Sequence, residues 1–161
     1  MGSDSDLEKV KKAFAVWDEL EVEYEVDVIS AHRTPDLALR YAETAEERGI
    51  GVIVAAAGLA AHLPGVLAAK TVLPVIGLPV GAGPLAGTDA LYSIVQMPPG
   101  IPVATVGIDN PVNAAYLAVQ ILAVSDGRLR EKLRRYRQGL EEKIRAKNQG
   151  LRVQGLKGFV R

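Results

Sequence analysis

The chain has two histidines, and one of them stands beside an arginine in the run SAHRTPD, residues 30–36. An imidazole exchanges protons near neutral pH, and a guanidinium can grip a phosphate through two parallel hydrogen bonds. His32 and Arg33 could therefore perform acid–base chemistry on an anionic substrate. The alternative is a surface loop whose histidine only caps a neighbour. The second histidine, His62, lies in AAAGLAAHLPG, residues 55–65, a stretch of small apolar residues whose backbone could approach a ligand closely. Taken singly, His62 reads as readily as a buried, hydrogen-bonded core histidine as a functional one. A third stretch, GSDSD at residues 2–6, sets hydroxyls and backbone N–H groups where a helix begins, a position that favours phosphate. Ser5, followed three residues later by Glu8, has the form of a capping box, so Ser5 is expected to cap that helix and to leave Ser3 for a ligand.

Other chemistries find less support. The chain has no cysteine, which removes disulfides, thiolate zinc sites and a cysteine nucleophile, and two histidines 30 residues apart argue against a metal site. GAGPLAG, residues 81–87, has glycine spacing that departs from a dinucleotide-binding fingerprint and is interrupted by Pro84, so it is discounted. Lys plus Arg and Asp plus Glu both total 19, giving no overall attraction to nucleic acid or to an anionic membrane. The residues present include neither a basic-then-apolar signal pattern nor a membrane-length apolar run, and a soluble, cytoplasmic protein is expected.

Three loops need a scaffold, and the hydrophobic pattern supplies one. Leu7, Val10, Phe14 and Trp17 recur at helical spacing from about Asp6, and Val22, Tyr24, Val26 and Val28 alternate with acidic residues as a strand ending near Ser30. Thr34-Pro35 reads as the start of the next helix, with Gly49 as its stop. Residues 52–57, 75–80 and 103–107 read as buried strands, separated by helices near 64–70 and 88–96. Residues 110–124 form a nearly all-apolar helix, and a long polar helix runs from 126 to 148. Apolar strands alternating with helices require crossover connections and a parallel sheet covered on both faces. Ligands then bind beyond the carboxyl ends of the strands, where all three loops fall. The chain is read as one α/β domain over 1–148 with a tail at 149–161. Nine Lys or Arg against three Glu over 128–147 read as a solvated or intersubunit helix face.

Taken in order, GSDSD, VISAHRTPD, AAAGLAAHLPG, LPVIGLPV, LYSIVQMPPGIPVATVGI and NAAYLAVQIL resemble the class I N5-carboxyaminoimidazole ribonucleotide mutases of purine biosynthesis, from Gly2 to about Leu122. The resemblance implies a flavodoxin-like three-layer α/β/α fold, a homo-octamer with active sites at subunit contacts, a ribonucleotide substrate, and neither metal nor organic cofactor. It implies His32 as the catalytic acid and base. It implies substrate contacts from Ser3 and Arg33 at the phosphate and Asp6 at the ribose, with Ser30 in the same loop, and from the Gly58–His62 loop at the migrating carboxylate.

Against that pattern, Ala56 and Leu59 stand where the family has glycines, and Ala90 stands where it has a serine after Asp89. Relatives also carry a short apolar strand before the first motif, so a first strand is expected to be missing from this sequence, with Gly158–Val160 as a less favoured substitute. Two other activities fit the same loops: class II carboxylation with free carbon dioxide, and non-catalytic nucleotide-phosphate binding. A dinucleotide-dependent oxidoreductase would rest on GAGPLAG alone.

Overall fold

A computed structural model describes residues 1–153. The proposed filler at Gly158–Val160 lies outside them. Packing divides the chain into two compact units, the first covering Met1–Leu122.

In the first unit, a 3-10 turn at Asp4–Asp6 leads into α1 (Leu7–Val10) and α2 (Lys12–Leu20). There follow α3 (Pro35–Thr44), β1 (Ile53–Gly58), α4 (Leu63–Ala68), β2 (Val75–Val80), α5 (Thr88–Val95), β3 (Ala104–Thr105) and α6 (Pro111–Leu122). The three strands form a parallel sheet in the order β1-β2-β3, with Ile53 opposite Val75, Gly58 opposite Val80 and Ile76 opposite Ala104. Every residue of β2 is buried, as a central strand covered on both faces requires.

Alternation along the strands makes the layers. Ile53, Ala55, Ala57 and Val75 pack with Ala38, Ala42, Leu63, Leu67 and Ile94 from α3, α4 and α5. Ala56, Ile76, Leu78 and Val80 turn the other way, onto Val10 of α1 and Ala114 and Ala118 of α6. Burying a Leu, Ile or Val side chain contributes about 1.5–3 kcal/mol, so each face supplies a comparable driving force. The small residues of α3 and α6 let those helices approach the sheet closely. Only one side of α6 is fully buried, at Pro111, Ala114, Ala115, Ala118 and Val119, although its sequence is apolar nearly all round.

The alternating stretch at 22–30 is not a strand, contrary to its period-two pattern. A strand needs a partner along its length, and this segment has one only at its end. The Met1 amino group donates to the Asp27 carbonyl, the Ile29 N–H donates to the Met1 carbonyl, and the Gly2 N–H donates to the Ala56 carbonyl. Met1 and Gly2 thus bridge residues 27–29 to β1. Further back, a hollow of about 390 Å³ lies between residues 22–25 and residues 49–54. The exposed Tyr24, Val26 and Val28 follow from this missing pairing.

Two helix ends also differ from their sequence reading. Ser3, not Ser5, caps the first turn: its Oγ accepts from the Ser5 N–H at 3.3 Å and from the Ser5 hydroxyl at 2.9 Å. The last helix does not stop at 148. In the second unit, α7 runs over Gly127–Val153 with Gly150 inside it. Its start is capped by Asp126, whose carboxylate accepts from the Arg128 and Leu129 N–H groups. Pairs such as Glu131–Arg135 and Glu141–Arg145, four residues apart, suit a solvated face.

Candidate active site

The loops at the carboxyl end of the sheet converge on a cavity of about 500 Å³. Its lining includes Gly2, Ser3, Asp6, Ser30, His32, Arg33, Gly58, Leu59, His62 and Ala82. All seven residues selected from the sequence, Ser3, Asp6, Ser30, His32, Arg33, Gly58 and His62, are therefore brought together. Parallel strands deliver their ends to one edge, which makes neighbours of loops distant in the chain.

The 30–36 loop is held by its own hydroxyls. Thr34 Oγ1 accepts from the Ser30 N–H and donates to the Ser30 carbonyl, each at 3.0 Å. Thr34 thus closes the loop rather than capping α3, which starts on Pro35 without a side-chain cap. Ser30 Oγ accepts from the Arg33 N–H at 3.2 Å and from Arg33 Nε at 3.3 Å. Arg33 Nη2 donates to the Gly2 carbonyl at 3.2 Å. The guanidinium is oriented between the first two loops, with further N–H groups remaining for an anion. Ser30 acts here as the group that holds Arg33.

His32 and His62 are both exposed and meet directly. His32 Nε2 lies 2.8 Å from His62 Nδ1, with the rings nearly perpendicular at 76°. One nitrogen of this contact must carry the proton and the other must accept it, so the tautomer of one ring fixes the donor or acceptor role of the other. His62 is therefore not a buried core histidine. The sequence offered no sign of the pairing, because it depends on the 30–36 and 58–62 loops meeting across the end of the sheet.

Asp6 is the buried charged residue of the site, at 8% exposure. Burial pushes its carboxyl above the ordinary aspartate value, while the Ser3 backbone N–H, the amino terminus and Lys9 pull less strongly in the other direction. A carboxylate held at such a cost beside a cavity is suited to accept hydrogen bonds from a ligand's hydroxyls.

The loop following β2 also contributes, a role that the likeness of GAGPLAG to a dinucleotide motif conceals in the sequence. Ala82 lines the cavity. Its loop is fastened by Asp109, which accepts from the Gly81 N–H at 2.9 Å and pairs with Lys9 Nζ at 2.9 Å. The strand-end rule that selected the other loops would have selected this one too. Among the described residues, no group of three or more His, Asp or Glu side chains could hold a metal ion.

Comparisons with known proteins place this geometry in context. The family described as AIR carboxylase matches residues 1–143. The chain is 60% identical over 141 residues to the N5-carboxyaminoimidazole ribonucleotide mutase of Pyrococcus abyssi, covering 88% of this chain and 81% of the relative. It is 54% identical over 160 residues to the protein of that name from Synechocystis, covering 99% and 91%. The crystal structure of Treponema denticola PurE superposes with a TM-score of 0.84 at 27% identity, covering 94% of each chain.

Proposed function

The chain belongs to the AIR carboxylase family, and from that membership we propose that it is an isomerase of purine biosynthesis. It converts N5-carboxyaminoimidazole ribonucleotide to 4-carboxy-5-aminoimidazole ribonucleotide. The observation that carries the assignment to this cavity is the His32–His62 pair, exposed beside Arg33, Ser3 and Asp6.

In the proposed reaction the bond between N5 and the carboxyl carbon breaks, carbon dioxide departs, and His32 gives N5 a proton. The C4–carboxyl bond then forms at the ring, and the proton displaced from C4 returns to His32. The proton count closes on one imidazole, and transfer of this kind contributes about 10²–10⁴-fold to a rate. His62, bonded to the reactive ring, fixes its orientation and tautomer. Arg33 and Ser3 bind the phosphate at the first helical turn, and Asp6 takes the ribose hydroxyls. Every group invoked belongs to the chain or the substrate, so the reading is of a reaction needing no cofactor.

The working form is proposed to be a cytoplasmic homo-octamer, which sedimentation would register as a mass near eight times 17.1 kDa. Apolar side chains left open on the first unit, including Val72 at 89% and Tyr92 at 60% exposure, support burial against other copies. The role of His32 is tested by His32→Asn. Substrate binding should persist while turnover falls by about 10²–10⁴-fold, and a variant with parental turnover would remove His32 from the mechanism.

A further inference from the structure

Asp109 turns the chain between β3 and α6 at φ of +51°, in the left-handed region that residues with a β-carbon seldom enter. Its carboxylate has a defined use there. One oxygen, Oδ1, accepts from the Gly81 N–H at 2.9 Å, and the other, Oδ2, lies 2.9 Å from Lys9 Nζ. The same ammonium donates to the Gly81 carbonyl. Gly81 is thus gripped by both of its backbone groups, and glycine leaves room for the carboxylate where it stands, since a Cβ there would lie 2.7 Å from Asp109 Oδ2. The next residue is Ala82, which lines the cavity. It lies against the end of β1: a Cβ built on Gly58 would be 3.4 Å from the Ala82 Cβ and 3.1 Å from the Val80 carbonyl oxygen. Lys9 stands on α1, the helix that follows the turn bearing Ser3 and Asp6. A backbone held in a sparsely populated region close to a site, and tied there to a charge from a distant element, points to a task for the pair.

We propose that Lys9 and Asp109 are a positioning pair, which fixes Ala82 against Gly58 and so sets the spacing between the loop bearing His62 and the loop after β2. The proposal deepens the mutase reading above and rests on it. Neither side chain lines the cavity, so the pair acts through the backbone it holds. Ala82, Gly83, Pro84 and Leu85 offer no ionisable or hydrogen-bonding side chain, and what their loop supplies is shape. The groups assigned to the phosphate are held without it, Arg33 by Ser30 and the Gly2 carbonyl, and Ser3 by Ser5. Loosening the clamp should therefore act on the alignment of the reacting atoms, which enters kcat, more than on substrate affinity. A displacement of about 1 Å can cost up to about 10²-fold.

The test compares steady-state conversion of N5-carboxyaminoimidazole ribonucleotide by the parent, Asp109→Gly, Asp109→Asn, Lys9→Met and the double variant Lys9→Met/Asp109→Gly. Glycine enters φ of +51° freely, so Asp109→Gly keeps the turn while losing the clamp. Its kcat should fall by roughly tenfold with KM little changed. Asp109→Asn, which keeps an acceptor for the Gly81 N–H, should recover part of the loss. Lys9→Met should lower kcat as well, and the double variant should fall no further than Asp109→Gly, as members of one unit do. The cycle is read on kcat because the Lys9 charge also reaches Asp6, whose ribose contacts enter KM. Parental kcat in Asp109→Gly would overturn the proposal, as would a rise in KM alone or losses that multiply in the double variant. A parent that fails to convert the substrate would instead remove the mutase reading, and with it the proposal.

Discussion

At the scale of single residues, the site combines groups whose chemistry is visible in sequence with contacts that are not. The adjacency of His32 and Arg33 was legible because both lie in one short loop. The hydrogen bond from one histidine to the other was not, since it joins positions 30 apart. Of the two residues that stand where the family has glycines, one is strained. Ala56 sits inside β1, 2% exposed, with ordinary strand backbone, whereas Leu59 adopts a left-handed conformation costing about 1–2 kcal/mol for a residue with a β-carbon. Ala90 is fully buried and supplies no hydroxyl, and Asp89 Oδ1 is a buried atom without a hydrogen-bond partner among the described residues.

Asp6 gives the residue scale its pH-dependent test. Its carboxyl is raised by burial, so the folded protein holds that proton more tightly than the unfolded chain does. Its contribution to stability is complete below the ordinary aspartate value and is lost as pH rises through the raised one. Asp6→Asn should therefore show a higher Tm than the parent at pH 7 and weaker substrate binding. The Tm difference should shrink on acidification below the ordinary aspartate range. Thermal melts across pH check this, and a lower Tm at pH 7 would mean that hydrogen bonds to the carboxylate outweigh its burial.

Among the elements, those with a complete set of neighbours followed their sequence signals. β2 spans the predicted residues 75–80, and α5 occupies Thr88–Val95 within the predicted helix at 88–96. Segments 22–30 and 103–107 read equally well as strands, yet the first pairs only at its end and the second is regular only at Ala104–Thr105. Alternation reports which faces a segment offers; pairing depends on what lies beside it. The capping box at Ser5 misled for a related reason: Ser3 lies two residues earlier and takes the Ser5 N–H. In the central strand, Gly77 marks a close approach between layers, since a Cβ there would lie 2.2 Å from Ile94 Cγ2 and 3.0 Å from Val103 Cγ1. Ile94 is fully buried and β-branched, so it has little freedom to yield. Gly77→Ala should destabilise the protein by about 1–3 kcal/mol, as overpacking in a well-filled core does. Denaturant unfolding with an unchanged m-value is the check, and a neutral result would show that α5 can shift outward.

For the whole molecule, composition bounded the answer and the order of the loops identified it. Balanced charge and the absence of cysteine removed classes of partner and nucleophile without selecting a reaction. Among the described residues, no helix is long and apolar enough to cross a membrane. The alternation of strands and helices gave a parallel sheet covered on both faces, and the flavodoxin-like fold that the family resemblance implied agrees with the superposition on Treponema denticola PurE. What composition could not convey is that four loops from distant parts of the chain would enclose one cavity.

The central claim, transfer of a carboxylate within one substrate, is tested most directly with N5-carboxyaminoimidazole ribonucleotide labelled with ¹³C at the migrating carboxyl. The protein is incubated with it in the absence of ATP and added bicarbonate, and the product is analysed by mass spectrometry. The expected product is 4-carboxy-5-aminoimidazole ribonucleotide that retains the label. Formation of product only when bicarbonate is supplied, with the label lost, would contradict it.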